Sequence, residues 1–130
     1  MIEVDIVTPQ RELVSRAQVS SVKLPAVAGE MEVLPQHTPV VALLGTGIIS
    51  FNDNGKDRRF AISEGIAEVQ PNKVVVLAET CEESHEIDRD RVLQAIERSQ
   101  QGMNNLMTRE DFARLEKKLN RARARQKAME

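Results

Sequence analysis

The sequence predicts a mainly β chain with an α appendage: an N-terminal antiparallel β-sandwich over residues 1–86, then a C-terminal antiparallel two-helix hairpin over residues 87–130. Three observations predict it. Short runs of alternating apolar and polar residues recur up to about residue 85, separated by turn signals. Beyond that point the apolar period becomes that of a helix. The charge also changes sign there: residues 1–86 hold 7 Lys and Arg against 13 Asp and Glu, net −6, and residues 87–130 hold 11 against 7, net +4.

Ile2, Val4 and Ile6 alternate with Glu3, Asp5 and Val7, the period of a half-buried strand. RELVSRAQVSSVKLP continues in short β-prone pieces, and Pro25 with AVAGE predicts a break. MEVLP predicts a strand closed by Pro35. VVALLGTGIISFN reads as an apolar run, a Gly-Thr-Gly bend and a strand, and Asn54-Gly55 marks a hairpin. GIAEVQPNKVVVLAET repeats the pattern of strand, Pro-Asn turn and strand. The uncharged stretch over residues 33–52 approaches membrane-spanning length. Pro35, Gln36, His37, Pro39, Gly45 and Gly47 break up the run of about 20 apolar residues that a spanning helix needs, so buried strands and turns are expected there.

After residue 87, Val92, Ile96, Ser99, Met103 and Leu106 recur at steps of three and four, a helical seam. GMNNLM, with Gly102 and an Asn pair, predicts a helix stop, and Thr108 with Asp111 has the spacing of an N-cap. Phe112, Leu115, Leu119 and Ala122 form a second seam. Both seams are narrow. The hairpin must therefore pack on something else, and it is expected to be the mobile part of the chain.

Composition removes several functional classes. The chain has 130 residues, enough for one domain and an appendage, with 41% hydrophobic residues for a core. Aromatic residues make up 2%, with no Trp or Tyr, which is poor material for stacking on bases or sugars. A single cysteine, Cys81, precludes an internal disulfide and suggests a reducing, intracellular setting. The acidic start MIEVDIVTPQ does not resemble a signal peptide. There is no GxxxxGK[ST] loop, the GTG at 45–47 lacks the context of a dinucleotide site, and the serines come with no His/Asp pattern. Cys81, Glu82 and His85 have ligand-type side chains, but a boundary loop is a poor place for a rigid metal site. No catalytic constellation and no metal site is expected.

One stretch, HEIDRDRVLQAIERS, does carry chemistry. A helix here places Asp88 near its start and Arg91 and Arg98, seven apart, on one side. Two readings remain open. Asp88 is a helix cap and the arginines a solvated basic face whose stems cover apolar surface, or these residues form half of an anion site.

The order of elements and their motifs together resemble the epsilon subunit of the F-type rotary ATP synthase. GEMEVLPQHTPVVALLGTGII is similar to a sandwich landmark of that family through Gly29, Leu34, Pro35, His37, Pro39, Leu43, Gly47 and Ile48. EGIAEVQPNKVVVLAET resembles a second landmark, a Gly-Gly turn leading into a strand. Glu32, Gln36 and Glu64 stand where that family commonly has glycine. The resemblance runs essentially the whole length. It implies that the end of the sandwich carrying Glu30 and the Pro-bracketed His37 lies against the membrane rotor ring and the foot of the stalk. Both residues are carried over as candidate contacts; the alternative is a solvated acid and a solvated histidine.

In some bacterial members the folded hairpin binds ATP. The first helix here is similar to their pattern through Ile87, Asp88, Arg91 and Arg98, and the second through Asp111, Leu119, Arg121, Ala122 and Arg125. Val92 and Leu115 replace alanines, and the valine adds methyls where a base or ribose would pack. The resemblance implies a nucleotide site of Asp88, Arg91, Arg98, Arg121 and Arg125, with Glu82 as a further candidate. Arginine suits it, since its planar fork meets phosphate oxygens bidentately.

The resemblance further implies a non-catalytic rotor subunit of a proton-translocating ATP synthase. It would join the gamma subunit to the c-ring and sit peripherally on the cytoplasmic side of the bacterial inner membrane. No cofactor would be required, and ATP would serve as a regulatory ligand. Extended, the basic second helix would reach the alpha and beta catalytic subunits and block wasteful hydrolysis; folded, it would rest on the sandwich. One competing reading is a purely structural coupler with a passive hairpin. Another is a nucleic-acid binder using the basic tail, against which stand the acidic body and the lack of Tyr and Trp.

Overall fold

The computed structural model describes residues 1–103 and 109–129. Eight strands precede two helices: β1 (Ile2–Val7), β2 (Glu12–Val19), β3 (Val22–Ala26), β4 (Gly29–Val33), β5 (Val40–Leu44), β6 (Gly47–Asp53), β7 (Lys56–Gln70), β8 (Lys73–Glu83), α1 (Arg89–Met103) and α2 (Arg109–Met129). A single 3-10 turn, Ser84–Glu86, joins sandwich to hairpin. The strand order is β2-β1-β8-β7-β5-β3-β4, with β6 pairing both β3 and β7. Every pair is antiparallel except β1 with β8.

Alternation sets the inner face. Ile2, Val4 and Ile6 of β1 are fully buried, and they share one core with Val22, Leu24, Ile49, Phe60, Val74 and Val76. β2 lies against β6 without pairing with it, so the sheet has folded over onto itself. The predicted turns at Asn54-Gly55 and Pro71-Asn72 join β6 to β7 and β7 to β8. Asn54 and Gly55 both have positive φ, and the Gly55 N–H donates to Asn52 Oδ1 at 2.8 Å.

The Gly-Thr-Gly bend is more specific than its sequence suggests. β5 and β6 pair with β7 in one unshifted register, from Val40↔Val69 to Asp53↔Lys56. They form one long strand bent at Gly45-Thr46, opposite Ser63-Glu64. Glu64 takes φ 49°, a left-handed value that favours glycine. The next residue must be small for a different reason: a Cβ on Gly65 would stand 2.5 Å from the Leu77 carbonyl oxygen.

Three expectations need correction. Pro25 does not break its strand; it lies within β3, paired with Glu30, and its carbonyl accepts the Gly45 N–H at 2.9 Å. The apolar run of β5 is not a buried strand, since Val40, Val41 and Leu43 are exposed. Phe112, placed in the second helical seam, is also exposed.

In the hairpin, Val92 and Ser99 of α1 and Leu119 and Ala122 of α2 are buried as their seams require, whereas Ile96 and Leu115 are half-buried. Gly102 does not stop α1 but sits in its last turn, where a Cβ would meet Leu115 Cδ1 at 2.9 Å. The remainder of the proposed stop, Asn104 to Met107, and the seam residue Leu106 lie outside the described residues, as does the proposed cap Thr108. α2 packs on β6, β7 and the 3-10 turn. A small cluster of Ala61, Ile87, Val92 and Ala128 seals the contact, with Ile48, Ile96 and Met129 against it.

Candidate functional site

The 3-10 turn fixes how α1 leaves the sandwich. The Glu83 N–H donates to Glu86 Oε1 at 3.0 Å. Arg11, from the β1–β2 connection, donates to Glu86 Oε2 at 2.7 Å and to the Cys81 carbonyl at 3.4 Å. The Arg11 guanidinium holds the Glu86 carboxyl below the usual carboxylate range, so this acid stays charged and occupied. Asp88 then caps α1: its Oδ1 accepts the Arg91 N–H at 3.2 Å, and its carbonyl accepts the Val92 N–H at 3.1 Å.

Beside this cap lies a cavity of about 270 Å³ that brings together Glu82, Asp88, Arg91, Arg98 and Arg125, with Glu86, Ile87 and Val92 in its walls. Arg121 is not in it. Arg121 lines an adjoining cavity of about 390 Å³ with Ser99, Leu115 and Lys118, and the two cavities share Ala95, Arg98 and Arg125. The six residues proposed for nucleotide binding thus converge from β8, α1 and α2 on one connected region. Asp88 is both cap and cavity lining, so the two readings of it are not exclusive. The buried Val92 packs with Ala61, Ile87 and Ala128, and the cavity persists beside it.

The charge of the site is mixed at one end, where Glu82, Glu86 and Asp88 stand with Arg91, and basic at the other, where Arg121 and Lys118 share their cavity with no carboxylate. Arg125 Nη2 meets Glu82 Oε1 at 2.6 Å, a half-exposed pair tying the end of α2 to the sandwich. Among the described residues, Arg91, Arg98, Arg121 and Lys118 have no ion-pair partner. At the end without a carboxylate the gathered cations repel, and an anion placed among them removes that repulsion.

Glu30 and His37 are held by different elements. Glu30 stands in β4 and lines a cleft of about 690 Å³ beneath α2, with Glu64, Lys117, Arg123 and Lys127. With the hairpin folded, Glu30 therefore faces basic residues of this same chain. His37 is half-buried in the loop before β5, with Nδ1 2.7 Å from the Thr38 carbonyl. That loop is tied to the β7–β8 turn by the Gln36 N–H, which donates to the Pro71 carbonyl at 2.7 Å.

A further surface escaped the sequence reading. The register aligns Leu43, Ile66, Leu77 and Val7 in one row across β5, β7, β8 and β1. Leu43 is 64% exposed, Ile66 43% and Leu77 54%, and with Val27 they line an apolar groove of about 860 Å³. Their alternation matches that of the buried face, so periodicity alone does not distinguish the apolar row that is left uncovered.

Residues 1–84 match the family model described as ATP synthase, Delta/Epsilon chain, beta-sandwich domain. The ATP synthase epsilon chain of Herpetosiphon aurantiacus is 40% identical over 124 residues, covering 95% of this chain and 90% of that one. The chain belongs to the ATP synthase epsilon family. The epsilon chain of Moorella thermoacetica is 37% identical over 128 residues, 98% of this chain and 95% of the other, so the epsilon resemblance includes the hairpin. Solved structures share the fold. A chain of the Euglena gracilis mitochondrial ATP synthase superposes with a TM-score of 0.87 at 21% identity, covering 99% of this chain and 81% of that chain. A chain of the Tetrahymena thermophila mitochondrial ATP synthase central stalk and c-ring gives 0.68 at 16% identity, covering 99% and 96%.

Proposed function

We propose that this epsilon-family chain is the non-catalytic rotor subunit that couples gamma to the c-ring. Its hairpin is an ATP-responsive arm that restrains hydrolysis by the alpha and beta subunits. The observation that carries the regulatory part is the convergence of Glu82 from β8, Asp88 from the cap of α1, Arg91 and Arg98 from α1, and Arg125 from α2 on one cavity. Such a site exists only while the hairpin is folded onto the sandwich. A ligand that binds there and not to the extended arm stabilises the folded state by RT ln(1 + [L]/Kd), about 2.7 kcal/mol at a hundredfold excess over Kd. The exposed row of Leu43, Ile66 and Leu77 supports the coupling part, as an apolar face on an otherwise charged sandwich fits a protein partner, here gamma. A peripheral position on the cytoplasmic side of the inner membrane belongs to this reading; no helix among the described residues is long and apolar enough to cross a membrane.

Calorimetric titration of the whole chain with ATP, repeated on Arg91→Ala and Arg125→Ala, tests the site. We expect binding in the parent and its loss in both variants. The absence of both heat and thermal stabilisation up to millimolar ATP would leave a coupler with a passive hairpin. Removing residues 108–130 tests the arm: hydrolysis by the reconstituted complex should rise, and an unchanged rate would exclude an inhibitory role.

A further inference from the structure

The two joined cavities differ in charge along their length. One end holds Glu82, Glu86, Asp88 and Arg91; Arg98 and Arg125 stand at the junction; the other end holds Arg121 and Lys118 and no carboxylate. Lys118, Arg121 and Arg125 follow one another on α2 at steps of three and four, so they form one stripe facing α1. At about 1.5 Å of rise per residue, Lys118 lies about 10 Å beyond Arg125 along the axis.

Its neighbours on the helix give Lys118 no relief. Positions three and four residues away are Arg114, Leu115, Arg121 and Ala122, none of them acidic. Arg114 pairs with Asp111 at 2.8 Å and Lys117 lies 3.9 Å from Glu64, while Lys118 has no ion pair among the described residues. An elongated ligand fits this gradient in one direction, with a hydrogen-bonding nucleoside end toward the acids and a polyanionic tail toward Lys118.

We infer that Lys118 is a further ligand contact of this site: it meets the terminal phosphoryl group of a nucleoside triphosphate and sets the preference for triphosphate over diphosphate. The inference rests on the nucleotide reading above. The arginine spacing does not point to it, because Lys118 falls outside that pattern. A diphosphate held by Arg98, Arg121 and Arg125 leaves Lys118 uncompensated, whereas a third phosphoryl group neutralises it.

The test is calorimetric titration of the full chain at low salt with ATP, ADP and inorganic triphosphate, on the parent, Lys118→Gln and Lys117→Gln. The Lys117 variant removes the same charge one position away, toward the cleft under α2. We expect Lys118→Gln to weaken ATP and inorganic triphosphate about three- to tenfold and ADP less than about twofold, and Lys117→Gln to leave all three within about twofold. Equal weakening of ATP and ADP, or no change in either, overturns the role of Lys118 while the nucleotide site stands. A parent chain that binds none of the three ligands removes the nucleotide reading and this inference with it.

Discussion

Glu64 shows how one residue can answer to two demands. Its φ of 49° costs a residue with a side chain about 1–2 kcal/mol relative to glycine, offset by the roughly 0.5–1 kcal/mol that glycine loses in chain entropy. Glu64→Gly should therefore raise the melting temperature of the sandwich slightly, whereas Glu64→Ala, which keeps the Cβ, should not; a calorimetric scan of both decides. What the strained acid contributes is its reach toward Lys117 on α2. Arg58 is a second decisive residue. It lies against the rings of Phe51 and Phe60 and donates to Glu83 at 2.6 and 3.1 Å. This guanidinium holds the Glu83 carboxyl below the usual range. A carboxyl depressed in the folded state stabilises fully above its unfolded pKa of about 4.3, and that contribution is lost as pH falls through the folded value. Acid titration of stability should show a loss below about pH 4 that is smaller in Arg58→Ala, which should also cost about 2–4 kcal/mol by leaving the buried Glu83 with only the exposed His85 beside it, at 3.7 Å. Cys81 is buried and its thiol pushed up to about 12, so it should resist alkylation at neutral pH until the chain is denatured, as mass spectrometry can read.

At the scale of elements, periodicity did most of what it can do. Alternation in β1, the Asn54-Gly55 turn and the change of period near residue 85 are local signals, and the elements follow them. The pattern cannot tell a row of apolar side chains turned into the core from one turned outward. β5 therefore reads as buried, while Val41 and Leu43 stand exposed. α2 hid its docking face for a related reason. Ala124 and Ala128 are buried, but alanine is the best helix former on any face, so its presence does not mark the face that packs. The arginines of the cavity were singled out through the family resemblance, since their spacing alone fits a solvated basic face equally well; Lys118 lies outside that pattern, and only the folded hairpin brings it beside Arg98. Overpacking this face is informative. Ala128→Leu should destabilise the docked helix by about 1–3 kcal/mol, seen as faster hydrogen exchange in α2 with an unchanged sandwich.

For the whole molecule, the sandwich and the hairpin are joined by unequal means. The sandwich has a continuous core, while the hairpin is held by the small cluster of Ala61, Ile87, Val92 and Ala128 with Ile48, Ile96 and Met129 against it, and, among the described residues, by the pairs Arg125–Glu82 and Lys117–Glu64. Ion pairs of this exposure contribute about 0–1 kcal/mol each and weaken with salt. Raising ionic strength toward about 1 M, where the Debye length falls to about 3 Å, should expose α2 to protease while the sandwich stays intact. The parallel pairing of β1 with β8 has a different consequence, for how the chain is made. Glu3 aligns with Lys73, so β1, made before β8, waits for that later strand before both its edges are filled. The hairpin is synthesised after that, and the arm emerges only when the surface it lands on can already exist.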